Sequence, residues 1–288
     1  MDRRDFLKKG ALTLAGAVVG GGIISALVGS EGCASPPPTK RIGLQLYSLR
    51  DAMAQDPAGT LKKIAAMGYA ELETASYDDG KIYGHTPAEF RALVEGLGMK
   101  VTSAHIGGGE PRSDEWWSRA IADHKAMGCR YVVIPSIALG ETPAELDALC
   151  EYFNRVAALA KTEGLTLGYH NHSGEFGEIE GTTIFDRMLT STSSDVVYEL
   201  DVYWVARGGK DPVDYLNRYP GRFPVLHIKD ESIIGNSGTL DFGSIFAAAY
   251  ARGMKDFFVE VERYELPAEI CVEKSFDFLN VAPFVKSI

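Results

Sequence analysis

The sequence predicts a (β/α)8 barrel, and three observations lead to this fold. From Arg41 onward, short apolar runs alternate with helix patterns. Glycines follow the helices, and the first three, Gly68, Gly98 and Gly128, recur at intervals of about one βα unit. Eight strand patterns within about 250 residues match the size of this barrel. An open doubly wound sheet is the alternative, but Gly107-Gly108-Gly109 lacks the spacing of its phosphate-binding turn.

The predicted strands are short apolar runs rich in β-branched and aromatic residues. In chain order they cover Arg41–Tyr47, Ala70–Glu73, Val101–His105, Tyr131–Ile134, Thr166–His170, Val196–Leu200, Val225–Ile228 and Phe257–Val261. Two helices begin at capping boxes, Thr86-Pro87-Ala88-Glu89 and Thr142-Pro143-Ala144-Glu145, and they are expected to end at Gly98 and Gly164. Further helices are predicted over Pro57–Met67, through Trp116 and Trp117, and over Phe242–Arg252 and Ala268–Asn280.

The stretch from Val196 to Asp230 reads as strand, helix, strand, with Asp211-Pro212 opening the short helix. The two strands are therefore expected to be parallel neighbours, with their carboxyl ends on the same side and about 5 Å apart. Asp201 follows the first strand, and His227 ends the second. A carboxylate and an imidazole placed in this way can share one cation. The alternative interpretation is a helix cap and a buried histidine.

Polar residues lie at the ends of most predicted strands, where barrels of this fold have their active sites. They are Gln45, Tyr47, Glu73, His105, His170, His172, Asp201, His227, Lys229, Glu260 and Glu262. Each residue alone has a structural explanation, such as an ion pair for Glu73. Strands five to eight, however, supply His, Asp, His and Glu in succession, which favours a metal site. His124 falls within a helix pattern and is predicted to lie on the surface.

The first forty residues are predicted to lie outside the barrel domain, residues 41–288. Residues 1–33 resemble a twin-arginine signal peptide, because Arg3-Arg4 precede a glycine-rich, weakly hydrophobic run; residues 34–40 form a linker. The expected location is exported and periplasmic, without a membrane span in the mature form. A transmembrane anchor is the alternative. Cys33 is a candidate lipid-attachment site, although Ser30-Glu31-Gly32 fits a lipobox poorly.

Composition restricts the partners. The net charge of −10 over 288 residues argues against a nucleic-acid surface, which needs a basic stripe, so a small-molecule substrate is expected. Cys129, Cys150 and Cys271 have no regular spacing and are predicted to be buried thiols. A homo-oligomer is compatible with the sequence.

Five segments carry a resemblance to a known family. They are IGLQLYSLRD (Ile42–Asp51), LGYHNHSGEF (Leu167–Phe176), ELDVYWVARGGKDPVDYL (Glu199–Leu216), HIKD (His227–Asp230) and FFVEVE (Phe257–Glu262). From Arg41 onward the chain resembles the xylose-isomerase-like TIM barrels known as sugar phosphate isomerases/epimerases. The resemblance implies one divalent metal ion, Mn, Co, Mg or Zn. By position, its ligands would be His170, Asp201, His227 and Glu260.

The fifth strand departs from the ketose 3-epimerases of this superfamily, which carry a glutamate there as ligand and base. This chain has His170, with His172 two residues further on the same side of the strand. Glu175 is an alternative ligand if its loop folds back. The Tyr-His-x-His pattern resembles the inosose-dehydratase-like branch, and similar exported barrels act as lyases on 3-keto sugars.

The expected activity is metal-assisted removal of a proton next to the carbonyl group of a sugar or keto-sugar. Return of the proton gives isomerisation or epimerisation. Loss of a neighbouring substituent gives elimination from a 3-keto-sugar or 3-keto-glycoside. The candidate catalytic residues are Lys229, His172, Glu73, His105 and Glu260. The other functions considered are a non-catalytic exported sugar-binding protein, a metal-dependent hydrolase and a metal-dependent endonuclease, which the acidic net charge disfavours.

Overall fold

A computed structural model describes residues 40–287. Eight parallel strands form one sheet, and the helices surround it. The strands are β1 (Gly43–Gln45), β2 (Glu71–Thr74), β3 (Lys100–Ala104), β4 (Tyr131–Ile134), β5 (Thr166–His170), β6 (Val196–Asp201), β7 (Val225–Lys229) and β8 (Asp256–Glu260). Because β1 pairs with both β2 and β8, the sheet curls into the predicted (β/α)8 barrel.

The barrel closes between β3 and β4 through a short contact. His105, directly after β3, pairs in parallel with Val133 of β4. The Ile106 N–H donates to the Val133 carbonyl oxygen over 2.8 Å. His105 therefore lies at the seam of the barrel.

The helices fill the connections between strands. They are α1 (Arg50–Gln55), α2 (Pro57–Met67), α3 (Pro87–Glu95), α4 (Asp114–Met127), α5 (Pro143–Thr162), α6 (Ile184–Ser191), α7 (Val202–Arg207), α8 (Pro212–Arg218), α9 (Phe242–Ala251) and α10 (Ala268–Val281). Both predicted capping boxes are present, at the starts of α3 and α5. The helix α3 ends at Glu95, before the predicted stop at Gly98, whose φ of 80° serves the turn into β3.

Inside the barrel, an apolar cluster of Tyr131, Val133, Val225 and Phe258 fills the part below the polar strand ends. Gly43 makes room for it: a Cβ atom at this position would lie 2.5 Å from the Phe258 ring. The ring of His227 lies 6.4 Å above Phe258, measured between centroids. The polar residues at the carboxyl ends therefore rest on a packed apolar floor.

Several predictions concern the first part of the chain. The predicted signal peptide (1–33), with Arg3-Arg4 and Cys33, lies outside the described residues, as does almost all of the predicted linker (34–40). Among residues 40–287, no helix has the length and apolar character needed to cross a membrane.

Cys129, Cys150 and Cys271 are buried free thiols, as predicted.

Candidate functional site

The ends of β6 and β7 meet as the strand–helix–strand pattern predicts. Asp201 is the register partner of His227, and both side chains are fully buried. One oxygen of Asp201, Oδ1, caps α7 by accepting the Trp204 N–H over 2.9 Å. The other, Oδ2, has no hydrogen-bond partner although it is buried. Asp201 is thus a helix cap and also offers a free acceptor to the barrel interior.

The structure brings the four predicted metal ligands together at this end of the barrel. His170, Asp201, His227 and Glu260 each offer one donor atom, and these atoms all lie within 4.8 Å of one another. The Nε2 of His170 is 3.9 Å from Asp201 Oδ2, and the Nδ1 of His227 is 3.4 Å from Glu260 Oε2. We call these four residues the outer cluster.

The outer cluster fits a divalent metal ion. Two imidazoles and two carboxylates form a donor set that suits Mn, Co or Zn, and the two carboxylates would neutralise the ion's charge. Burial raises the pKa of Asp201 to about 7, despite the opposing effect of Lys229. The ionised form of this carboxylate therefore needs a positive charge close by, and its unpartnered Oδ2 can supply a ligand.

A second layer lies behind the outer cluster. It consists of Glu73, His105 and Glu199, and we call it the inner cluster. The Oε2 of Glu199 lies 2.7 Å from His105 Nε2 and 3.1 Å from His227 Nε2. The Oε2 of Glu73 lies 2.6 Å from His227 Nε2. Through His227, the two clusters form one continuous network of imidazoles and carboxylates.

The charges of this network shift its pKa values in opposite directions. Burial lowers the pKa of His227, but Glu199, Glu73 and Glu260 outweigh it, and the pKa lies well above its ordinary value. Burial raises the pKa of Glu199, but His227 and His105 hold it well below the ordinary range. Burial and the charge of His227 keep the pKa of His170 low, which favours a neutral imidazole.

Sequence reasoning missed Glu199. It lies inside β6, two residues before Asp201, and therefore on the same face of the strand. An acidic residue within a β-branched run, at this spacing from a predicted ligand, was the available signal. The prediction considered only strand ends, and the inner cluster lies one layer deeper.

A cavity of about 290 Å³ opens above the outer cluster. Its walls include Tyr47, His105, His170, His172, Glu260 and Glu262. The ammonium group of Lys229 donates to Glu260 Oε2 over 3.0 Å and also to Glu262, and it lies 4.9 Å from the centre of the Trp204 ring. Most of the residues predicted from the sequence therefore surround this cavity.

Several predicted residues are not part of this wall, among them Gln45, Asp201, His227 and Lys229. Glu73 is fully buried and is absent from the cavity wall. Glu175, the alternative ligand, is not in the outer cluster, because its oxygens accept the Tyr169 hydroxyl over 2.6 Å and the His172 N–H over 2.9 Å. The surface prediction for His124 is wrong: it is fully buried, on the same face of α4 as Trp117 and Ile121.

The fold and the outer cluster together define a (β/α)8 barrel with a histidine–carboxylate site at the carboxyl ends of its strands. Residues 61–280 match the sequence model of the xylose isomerase-like TIM barrels. The chain belongs to this family.

Known relatives include enzymes of two kinds. The inosose dehydratase of Geobacillus kaustophilus (strain HTA426) is 26% identical over 219 residues, which are 67% of each chain. That of Clostridium perfringens (strain ATCC 13124) is 25% identical over 56% of this chain and 62% of its own. A crystal structure of a sugar phosphate isomerase/epimerase from Parabacteroides distasonis ATCC 8503 is 34% identical, with a TM-score of 0.82 over 88% of this chain and 97% of that one. The prediction of an enzyme that is similar to the sugar isomerases and epimerases, and possibly a lyase, is confirmed at this level.

Proposed function

We propose that the protein is a divalent-metal-dependent enzyme that removes a proton next to the carbonyl of a keto-sugar and then eliminates a neighbouring substituent. The observation that carries this proposal is the outer cluster at the base of a cavity that is also lined by acid–base groups. A divalent ion held by His170, Asp201, His227 and Glu260 would polarise the substrate carbonyl and acidify the adjacent C–H bond.

Lys229 is suited to stabilise negative charge on the substrate. Burial lowers its pKa, but Glu260, Asp201 and Glu262 outweigh that effect, and the pKa is raised. The side chain therefore keeps its positive charge between two carboxylates and the Trp204 ring. A fixed charge of this kind can stabilise an enolate oxygen as it forms, without giving up its own proton.

His172 is the proposed proton carrier. It lines the cavity and belongs to neither cluster, and its ring packs edge-on against that of His170, with centroids 4.8 Å apart. Glu175 fixes its backbone through the hydrogen bond from the His172 N–H. In the proposed reaction the His172 ring takes the proton from carbon. The C–O bond at the next carbon then breaks, a C=C bond forms, and the leaving oxygen departs with that proton.

Two facts favour elimination over epimerisation. Epimerisation needs matched bases on both faces of one carbon, whereas β5 ends in His170, with His172 two residues beyond it, instead of the glutamate of ketose 3-epimerases. The curated relatives are inosose dehydratases, which supports a cyclic polyhydroxylated ketone or a 3-keto-glycoside as the substrate class.

Incubation in deuterium oxide tests this proposal. The purified protein is supplied with Mn²⁺ and with keto-sugars or 3-keto-glycosides, and the products are followed by mass and proton spectra. Elimination yields an unsaturated product or a released aglycone. Solvent-deuterium exchange with inversion or ketose–aldose conversion, and without a released group, would assign the protein to the isomerases and epimerases instead. Binding without turnover would make it a sugar-binding protein.

We also propose that the protein is exported through its twin-arginine motif, on the strength of Arg3-Arg4 and the glycine-rich run that follows. Replacing both residues, Arg3→Lys with Arg4→Lys, should leave an uncleaved precursor in the cytoplasm. Cell fractionation measures this outcome, and an unchanged distribution of the double variant would remove the twin-arginine proposal.

A further inference from the structure

Glu73 was predicted to be a catalytic residue, but its surroundings point to another role. Its Oε2 accepts hydrogen bonds from Gln45 Nε2 over 2.8 Å and from His227 Nε2 over 2.6 Å. Its Oε1 accepts the Ser103 hydroxyl over 2.6 Å. The carboxylate is fully buried and does not reach the cavity wall. Three donors thus hold the carboxylate inside the barrel, and its link to the outer cluster is the hydrogen bond to His227.

The backbone places Glu73 in this position. Gln45 and Ser103 are its register partners on the two neighbouring strands, β1 and β3. The ladder between β2 and β3 shifts between Leu72 and Glu73, so that Glu73 lies opposite Ser103. Such irregularities re-aim side chains. Gln45 is oriented in turn, since its Oε1 accepts the Tyr47 N–H over 2.9 Å.

The two ring nitrogens of His227 face different partners. Nε2 faces Glu73, and Nδ1 faces Glu260 Oε2 in the outer cluster at 3.4 Å. Burial and Glu199 raise the pKa of Glu73, but both of its oxygens accept hydrogen bonds, from Gln45 and Ser103, as an ionised carboxylate does. Because an ionised carboxylate only accepts hydrogen bonds, the His227 nitrogen that faces Glu73 carries a proton. Nδ1 faces the Glu260 carboxylate in a similar way, and the raised pKa of His227 favours a doubly protonated ring while no ion is bound. A metal ion at the outer cluster would take the place of the Nδ1 proton, and the ring would keep its proton on Nε2, towards Glu73. This is the tautomer that a metal ligand at Nδ1 requires.

Glu199 makes a longer contact with the same nitrogen, Nε2. Its Oε2 also lies near His227 Nε2, at 3.1 Å, but its hydrogen bond is to His105 Nε2, at 2.7 Å. Glu73 is the carboxylate that is hydrogen-bonded to His227 Nε2. Glu73 Oε2 also lies 3.3 Å from His105 Nε2, so each inner carboxylate contacts both imidazoles of the stacked pair His105 and His227, whose ring centroids are 5.1 Å apart. The shortest contact of Glu73 is with His227, and that of Glu199 is with His105.

We propose that Glu73 is a positioning residue, which fixes the tautomer and the ring orientation of His227 so that Nδ1 can bind the metal ion. Gln45 and Ser103 complete this role by holding the carboxylate itself. The inference rests on the proposed function, because it assumes that the outer cluster binds a divalent ion. Carboxylates that accept the second N–H of a ligating histidine typically contribute 10–100-fold to metal affinity.

The variant Glu73→Gln separates positioning from proton transfer, because it removes the charge but keeps the size and an acceptor oxygen. We expect the affinity for Mn²⁺, measured by titration of the metal alone, to fall about 10–100-fold. At saturating Mn²⁺, kcat should stay within about tenfold of the wild type, since no proton passes through Glu73. Unchanged affinity with a loss in kcat of about 10²–10⁴-fold would overturn the proposal and make Glu73 an acid or base.

Glu71→Gln is the matched control. Glu71 lies two residues earlier on the same strand and is also buried, but it faces Arg41 and Arg130 at the other end of the barrel. Its replacement should leave the Mn²⁺ affinity unchanged. An equal loss of affinity in both variants would show a general effect on the fold and would overturn the specific role of Glu73.

Nitrogen-15 spectra of the histidines in the Zn²⁺-loaded wild type provide a test that needs no variant. His227 should carry its ring proton on Nε2, and its Nδ1 should be unprotonated. A proton on Nδ1 would overturn the inference. Wild-type protein that binds no divalent ion would overturn the proposed function as well. Normal binding in the wild type with an unchanged Glu73→Gln variant overturns only the role of Glu73.

Discussion

The two ends of the barrel use the same kind of buried residue for different purposes. Strand β2 carries Glu71 near its start and Glu73 near its end, and strand β8 carries Asp256 and Glu260 in the same way. All four carboxylates are buried. The difference between the two ends lies in the partners that neutralise them.

At the amino-terminal end the partners are arginines. Asp256 Oδ1 lies 2.7 Å from the Arg130 guanidinium and 3.1 Å from that of Arg41, and Glu71 lies 3.3 Å from Arg41. A guanidinium group stays protonated at every physiological pH and offers no lone pair. These pairs can hold the strands together, but they cannot take up a metal ion or move a proton.

At the carboxyl end the partners are mostly imidazoles. An imidazole can be neutral, and it then offers a lone pair to a metal ion on one nitrogen and a proton to a carboxylate on the other. Glu260 and Glu73 are both within hydrogen-bond range of His227, one at each nitrogen. The comparison teaches that the type of partner, and not burial, decides whether a carboxylate is structural or part of a site.

The strongest test of this contrast is Asp201→Asn in the outer cluster. Asparagine keeps the size of the side chain and the cap on α7, but it cannot neutralise a cation. We expect bound metal well below one ion per chain and a loss of activity beyond the 10–100-fold typical of residues that only support a ligand. Metal analysis and circular dichroism check this, with a near-native spectrum expected. Full occupancy in this variant or in His227→Ala would contradict the assignment.

A smaller effect is expected from Lys229→Met, which removes the one cation that the carboxyl end places between Glu260 and Glu262. Loss of a donor to an oxyanion typically lowers kcat about 10²–10³-fold. Metal binding should persist, because the outer cluster keeps all four donors. Lys229→Arg is the control, since it retains the charge and should recover part of the activity. A Lys229→Met protein that loses its metal would show that Lys229 organises the cluster instead.

All four residues of the outer cluster could be predicted from the sequence, but the inner cluster could be predicted only in part. His170, Asp201, His227 and Glu260 lie at or near the carboxyl ends of their strands, and strand periodicity is a short-range signal that one sequence can display. Glu199 was not predicted, because its role depends on other strands, which place His105 and His227 next to it. The contact partners of Glu73 could not be predicted for the same reason, since its hydrogen-bond donors Gln45 and Ser103 come from other strands. Long-range register cannot be read from local patterns.

At the amino-terminal end, the double variant Arg41→Gln with Arg130→Gln should lower stability and spare the site. It removes both arginines that pair with Glu71 and Asp256, and Lys100 remains as a weaker counter-charge for Glu71. Breaking a buried pair costs about 3–5 kcal/mol, and we expect the low end or less, because the two arginine side chains are 35% and 45% exposed and partly screened by water. Urea unfolding measures the loss, and Mn²⁺ affinity should not change.

The pH dependence of that loss has a definite sign. Burial and Asp256 already raise the pKa of Glu71, while Arg41 and Arg130 oppose the rise. Without the arginines, the folded pKa should move further above the unfolded value. A carboxyl group with a raised folded pKa binds a proton more tightly in the folded chain, so stability recovers as the pH falls towards the ordinary range of glutamate. A loss that grows in acid would contradict this picture.

His124 lies outside both clusters, and it supplies the test with the smallest expected effect. Burial is the main cause of its pKa shift, whereas carboxylates dominate the pKa of His227. His124 is as fully buried as His227, but its Nδ1 bonds to the Ala120 carbonyl at 2.7 Å and its ring packs on Tyr77. Burial lowers its pKa, and the Ala120 carbonyl and nearby Asp123 only partly oppose this. The shift is opposite to that of His227, whose neighbours are carboxylates.

The sign of the pH effect follows from this lowered pKa. Below about pH 6.5 the unfolded chain protonates His124 while the folded chain does not, so the wild type loses stability as the pH falls. His124→Leu removes that loss. The difference in unfolding free energy between variant and wild type should therefore shift in favour of the variant from pH 7.5 to 5.5, by at most about 1.4 kcal/mol per pH unit. Urea unfolding at several pH values measures it. If this free-energy difference does not vary with pH, burial does not lower the pKa of His124. His124 could then no longer serve as the buried histidine without carboxylate partners with which His227 is compared.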